Sequence, residues 1–293
     1  MSASSPALTS AAITTRLRAA GCVFAEDEAT VLLADATTSA ELESRVARRV
    51  AGEPLEYIVG WAEFCGLHVS VAPGVFVPRQ RTTLLVRESL RVAPRRPVVL
   101  DLCCGAGAIG AAILAARPDA SVYAADIDPA ATDCARRTLA AVRDSPRWSS
   151  SAAEVDAYRD PPPSRTLPQV PPQVFTGDLY SPLPVSLKGT VDILAVNAPY
   201  VPTDEIAFMP SEARDHEARA ALDGGADGLA LHRRVADGAR EWLAPGGHLL
   251  IETSERQASA SAGILESAGL SVSIVHDDEV DGTAVIGRLA PAR

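Results

Sequence analysis

The sequence predicts a doubly wound, mostly parallel α/β sheet of seven strands, preceded by a small N-terminal helical domain. Three observations carry this expectation. From Val98 onward, short runs rich in Val, Ile, Leu and Ala alternate with helix-length segments, the pattern of strand–helix–strand units and hence of a parallel sheet. The first of these runs leads straight into a glycine-containing loop that opens a helix. Ahead of residue 60, by contrast, apolar residues recur every four positions and no strand pattern is visible.

Residues 1–60 are read as the helical domain. Ile13 and Leu17 share one helix face, and Leu42, Val46 and Val50 share another behind a Thr38/Glu41 capping box. Gly52 and Pro54 end this region. Residues 61–93 form a hairpin linker, with strand-like alternation through Leu67, Val69 and Val71 and a turn at Pro73-Gly74.

Residues 94–293 hold the sheet. Strand 98–102 is followed by helix 109–116 and strand 122–125, and Asp128-Pro129 supplies a cap and a first-turn proline for the next helix. Residues 144–172 contain Pro161-Pro162-Pro163 and Pro171-Pro172, too proline-dense for a helix or central strand, and are expected to form a flexible surface insertion. Strands resume at 174–176 and 191–196, a helix covers 229–243, and Pro245-Gly246-Gly247 turns into strand 248–252. A last helix closes at Gly269, and strands 272–275 and 284–289, joined through Asp281-Gly282, make an antiparallel pair that ends the sheet.

Composition narrows the function. Hydrophobic residues are 47% of the chain and aromatics only 4%, so the core is aliphatic. The formal net charge of −10 disfavours a nonspecific grip on nucleic-acid phosphates. No leader pattern and no apolar run of membrane-spanning length is present, so a soluble, cytoplasmic protein without membrane partners is expected. Five cysteines without CxxC or Cys/His spacing suggest neither a disulfide framework nor a metal site.

The loop Asp101-Leu102-Cys103-Cys104-Gly105-Ala106-Gly107 lies between a strand and a helix, where backbone N–H groups are free for a nucleotide cofactor. Gly105, Gly107 and Gly110 also satisfy GxGxxG, which leaves a dinucleotide as an alternative. S-adenosyl-L-methionine is favoured for two reasons. Asp101 at the strand end can accept from the ammonium of a methionine moiety but would repel a pyrophosphate, and the terminal antiparallel pair suits a methyltransferase sheet. Asp126 ends the next strand at about 20 residues past the glycines, the spacing of a carboxylate that binds ribose hydroxyls. Asp178, followed by Leu179, ends the third strand and can face an adenine amino group, although an acid there is commonly a cap or a solvated loop residue.

Asn197-Ala198-Pro199-Tyr200 directly follows strand 191–196, at the carboxyl edge where open α/β sheets bind ligands. Taken alone it reads as a turn. Beside a complete cofactor loop it resembles the Asn-Pro-Pro-Tyr mark of the protein-(glutamine-N5) methyltransferases, which modify the Gly-Gly-Gln motif of translation release factors. Further resembling stretches are Pro54-Leu55-Glu56-Tyr57-Ile58-Val59-Gly60, Glu63-Phe64 through Pro73-Gly74-Val75, Pro78-Arg79, and Ala221-Leu222-Asp223-Gly224-Gly225-Ala226-Asp227-Gly228-Leu229. The resemblance implies a cofactor loop at Cys103 to Gly107, a ribose acid at Asp126 and a dual cofactor and substrate contact at Asn197. It also implies a substrate-binding role for the N-terminal domain and a segment, 210–225, folded over the site; its Asp215, His216 and Glu217 read equally well as solvated loop residues and are left out of catalysis.

The chemistry makes the tetrapeptide intelligible, because an amide nitrogen is a poor nucleophile and positioning must carry the rate. The Asn197 side-chain oxygen and the Ala198 carbonyl can accept the two amide N–H bonds, while Tyr200 packs on the planar group. Two departures from the family pattern stand out: Ala198 replaces a proline, and Gln80-Arg81-Thr82-Thr83 replaces Pro-acid-Thr-acid. The leading expectation is methylation of a glutamine in a protein, foremost a peptide chain release factor. An adenine-N6 methyltransferase acting on RNA or DNA uses the same kind of site, and a noncatalytic cofactor-binding homologue is the third reading.

Overall fold

The computed structural model describes residues 8–144 and 171–292. Most of the proline-rich segment expected as a surface insertion therefore lies outside the described residues.

The N-terminal region is helical, as the apolar spacing requires. Helices α1 (Ser10–Ala19), α2 (Ala25–Asp35), α3 (Ser39–Val50) and α4 (Leu55–Val59) enclose a core of Ile13, Leu17, Leu32, Val46 and Ile58. The Thr38 hydroxyl caps α3 by accepting from Glu41 N, but the return bond of a capping box is displaced by one residue. Glu41 reaches Thr37 N at 2.9 Å and the Thr37 hydroxyl at 2.7 Å. The helices also continue past Gly52 and Pro54, where the sequence reading ended them, because α4 starts directly behind Pro54 and stops at Gly60 in the left-handed conformation.

Strands β1 (Trp61–Phe64) and β2 (Leu67–Ser70) form the expected hairpin, but its turn is elsewhere. Phe64 pairs with Leu67, so the turn is Cys65-Gly66, both at positive φ (50° and 75°). Pro73-Gly74 lies beyond the hairpin. A second difference is helix α5 (Thr83–Val92), which sits where the reading had only a linker. Its Leu84, Leu85 and Leu90 are buried in the same core as the sheet, so packing shows no break at residues 93–94.

The sheet has seven strands: β3 (Val98–Leu102), β4 (Ser121–Asp126), β5 (Gln173–Thr176), β6 (Val191–Val196), β7 (Leu243–Glu252), β8 (Ser271–Asp277) and β9 (Gly282–Arg288). Their order is β5-β4-β3-β6-β7-β9-β8, parallel from β5 to β7 and antiparallel at β9 and β8, as the sequence pattern predicts. β7 departs most in extent, beginning at Leu243 and carrying the Pro245-Gly246-Gly247 turn as an irregularity of register against β6. Alternate residues face opposite layers, Val99 and Ile193 toward α5, α6 (Ala108–Ala116) and α7 (Pro129–Asp144), and Leu100 and Leu194 toward α9 (Ala230–Trp242) and α10 (Glu255–Ser267). Helix α8 (Ser211–His216) lies in the connection after β6.

Glycines set the close approach of α6. A Cβ at Gly107, whose φ is +77°, would lie 2.9 Å from the Ala135 Cβ on α7. One at Gly110 would lie 3.1 Å from both Asp101 Oδ2 and Val122 Cγ1. Because β3 lies between β4 and β6, the strand order reverses there. Leu102 is in register with both Ala125 and Val196, so the loops after β3, β4 and β6 leave the sheet at one edge.

Candidate active site

At that edge lies a cavity of about 300 Å³, lined by both the loop after β3 and the tetrapeptide after β6. Cys103, Gly105 and Gly107 all take positive φ, and Cys104 N donates to Ala125 O at 3.1 Å. Asp126 staples this turn to the end of β4. Its Oδ2 accepts from Gly105 N at 2.8 Å and its Oδ1 from Asp128 N at 2.9 Å. Burial raises the Asp126 pKa, and those backbone N–H groups oppose the shift. Nothing occupies the space where a Cβ on Gly105 would sit, so a ligand can approach the backbone there. Burial also pushes the Cys103 and Cys104 thiols upward, which keeps them neutral.

Two expected site residues lie outside the cavity wall: Gly107, which sits tight against Ala135 of α7, and Asp101. The Asp101 side chain is fully buried and absent from the cavity wall, because Oδ2 turns beneath α6 to accept from Gly110 N at 2.8 Å. Burial pushes its pKa from the ordinary 3.8 up to about 8, against that single N–H. The folded protein therefore holds a proton that the unfolded chain releases between those values, and this group's contribution to stability is greatest below about 4 and is lost as pH rises to about 8. Thermal melts across that range are expected to show a smaller loss of stability toward pH 9 in Asp101→Asn than in the parent; parallel profiles would contradict the assignment.

Asp178 and Leu179 both line the cavity, Leu179 at φ 48°, and the Asp178 carboxylate is paired with Arg234 of α9 at 2.7 Å. Ala106 is also in the wall. In the tetrapeptide, Asn197 Nδ2 donates to Thr82 Oγ1 at 3.1 Å, and Ala198 and Pro199 form the wall beside it. Tyr200 is held at both ends: its hydroxyl donates to Glu252 Oε1 at 3.3 Å and its carbonyl accepts from Gln257 Nε2 at 3.0 Å. Burial raises the Tyr200 pKa, with the Glu252 charge adding to the effect, so the phenol is neutral.

The segment after β6 covers the cavity, with Met209, Ala218, Ala221 and Leu222 in the wall. Glu217, read from sequence as solvated, is 7% exposed. It accepts from Val77 N at 3.2 Å and pairs with Arg79, whose guanidinium lies 5.1 Å from the Phe76 ring centroid. The cover is also tied to the helical domain, because the buried Arg49 of α3 binds Glu28 of α2 and, at 2.7 Å, Glu212 of α8.

Known proteins are similar to this chain in sequence and in fold. The methyltransferase small domain family matches residues 66–162. The release factor glutamine methyltransferase of Bifidobacterium longum is 31% identical over 290 residues, covering 90% of this chain and 92% of that protein. That of Geobacter sulfurreducens is 36% identical over 224 residues, covering 76% of this chain and 69% of the relative. This chain belongs to the release factor glutamine methyltransferase family. A solved methyltransferase structure from Pyrococcus furiosus shares the fold, with 15% identity, a TM-score of 0.52, and coverage of 85% of this chain and 99% of that one.

For this member of the release factor glutamine methyltransferase family, sequence reasoning missed Thr82, Glu252 and the Arg79–Glu217 pair. Glu252 carried a readable signal, since it is an acid that ends a buried parallel strand at the same edge as Asp126 and Asn197. The other contacts join residues more than 100 positions apart, such as Thr82 and Asn197 at a separation of 115. No helix among the described residues is long and apolar enough to cross a membrane.

Proposed function

We propose that the protein transfers the methyl group of S-adenosyl-L-methionine to the side-chain amide nitrogen of a glutamine in a peptide chain release factor. The observation that carries this reading is that Asn197-Ala198-Pro199-Tyr200 and the loop residues Cys103 to Ala106 line one cavity, at the reversal point of the sheet.

The residues present fit the methyl donor. Gly105 gives backbone access, Asp126 lines the cavity and is the acid for ribose hydroxyls, and Asp178 with Leu179 flanks the position of a purine. When bound, the donor supplies an electrophilic methyl group on a sulfonium whose leaving group is a neutral sulfide. The protein's part is then to hold the acceptor. Asn197 Oδ1 and the Ala198 carbonyl accept the two N–H bonds of the glutamine amide, point its nitrogen along the line of attack and favour the positive charge that develops there. Tyr200, neutral and fixed at both ends, covers the planar group. The proton leaves late, to water. Arg79 and Arg81 line the same cavity, and Arg81 replaces an acid of the family pattern.

A release factor substrate places the reaction in the cytoplasm. The net charge of −10 weighs against nucleic acid as acceptor. Transfer of labelled methyl from S-adenosylmethionine to purified release factors and, separately, to RNA tests the proposal. Mass spectrometry is expected to place the label on the glutamine of Gly-Gly-Gln. Label on RNA, or none on any release factor, would refute it.

A further inference from the structure

We propose that Glu252 is a positioning residue which, through the Thr82 hydroxyl, fixes the way round of the Asn197 side-chain amide and so turns its oxygen toward the substrate nitrogen. The inference rests on the reading of Asn197 as acceptor for the glutamine amide.

Glu252 ends β7 beside the tetrapeptide, since Ile251 is in register with Val196. It is 2% exposed, and Tyr200, Arg81, Thr82 and Asn197 all face it. The Tyr200 hydroxyl donates to Oε1, and Arg81 Nε stands 3.5 Å from the same oxygen. Oε2 is buried without a hydrogen-bond partner, an acceptor in need of a donor. Among its neighbours, Thr82 is itself 3% exposed and carries a hydroxyl that can donate.

A hydroxyl has one proton and two lone pairs, whereas a carboxylate only accepts. With its proton directed at Glu252, Thr82 Oγ1 can only accept from Asn197, which matches the 3.1 Å contact from Nδ2. An asparagine amide has the same shape either way round but opposite hydrogen-bonding character at its two ends. The flipped form would set Oδ1 against the Thr82 lone pairs and present N–H groups to a substrate that also offers N–H groups. Glu252, the only member of the chain that cannot donate when ionised, gives the sequence of bonds its direction. Burial raises the Glu252 pKa, and the Thr82 hydroxyl, the Arg81 charge, the Tyr200 hydroxyl and the Asn197 amide all oppose that rise by favouring the ionised form.

Hydrogen exchange of the Asn197 side-chain amide in the full-length 15N-labelled protein, assigned by its loss in Asn197→Ala, reads this directly. Slow exchange is expected in the parent and in Thr82→Ser, with exchange at least about tenfold faster in Glu252→Gln and in Thr82→Val. On a release factor substrate, Glu252→Gln is expected to lower kcat about tenfold with KM little changed. In the Thr82→Val background it should cost nothing further, because the two residues act as one unit. Parental exchange at Asn197 in Glu252→Gln, or kcat losses that multiply, would overturn the proposal. If Glu252→Gln does not fold, parental exchange in the near-isosteric Thr82→Val overturns it equally. A parent inactive on release factors whose Asn197 amide nonetheless responds to both variants would remove the substrate reading and leave the positioning role standing.

Discussion

Asn197→Ala is expected to lower kcat by roughly 10²–10³-fold, the cost of removing one preorganised hydrogen-bonding group from a transition state, about 2.7–4 kcal/mol. The substitution deletes an acceptor aimed at the acceptor nitrogen, and its structural cost is small. The hydrogen bond from Asn197 Nδ2 to Thr82 is worth about 1 kcal/mol in net stability. A large kinetic loss with a nearly unchanged melting temperature is therefore the signature. Steady-state methyl transfer alongside thermal denaturation measures both. Turnover within a factor of about three of the parent would mean that the nitrogen is held by other groups.

Gly228→Ala is expected to damage both stability and turnover. Gly228 has φ +75°, and a Cβ there would stand 2.3 Å from the Tyr200 carbonyl oxygen and 2.3 Å from Gln257 Nε2, the two groups that hydrogen-bond each other beneath the tetrapeptide. Strain at positive φ adds to overpacking against backbone, for a loss of about 2–4 kcal/mol. Moving the Tyr200 carbonyl also shifts the ring that covers the substrate. Gly263 provides the internal contrast, for it lies within α10 at an ordinary φ, and a Cβ added there would meet nothing within 4 Å. Gly263→Ala is expected to raise stability by about 0.5–1 kcal/mol. Denaturant unfolding of the two variants separates them, and similar effects of both would contradict the packing argument.

Much of the sheet could be read from single residues and their spacing. Strands β3 and β6 are continuous apolar runs because parallel strands are covered on both faces, and Asp128-Pro129 signals the start of α7 by local capping chemistry. Helix α5 was less visible. It has no side-chain cap, starts through a 3-10 turn at Gln80–Thr82, and owes its apolar face to packing against the sheet. The hairpin turn was misplaced because Pro73-Gly74 is the stronger turn dipeptide, whereas the Phe64–Leu67 pairing demands positive φ at Cys65, an uncommon residue there.

Within the site, the loop, Asp126 and the tetrapeptide were legible because each ends or directly follows a strand. The direction of the Asp101 carboxylate was not, since two orientations at a strand end share one sequence and only the nearby Gly110 N–H decides between them. Nor was the fate of Glu217. Its neighbours in sequence, Asp215 and His216, are exposed and half-buried, while its partner Arg79 lies 138 positions away. Long-range pairing of this kind leaves no local trace.

The central claim is that a glutamine amide is held by Asn197 and Ala198 in front of the methyl donor. A crystal structure of the protein with S-adenosylhomocysteine and a Gly-Gly-Gln-containing release factor domain measures this most directly. The account predicts the glutamine side-chain nitrogen at about 3 Å from both Asn197 Oδ1 and the Ala198 carbonyl oxygen, with the Tyr200 ring over the amide plane. A glutamine bound elsewhere, or an Asn197 amide turned with its nitrogen toward the substrate, would contradict it.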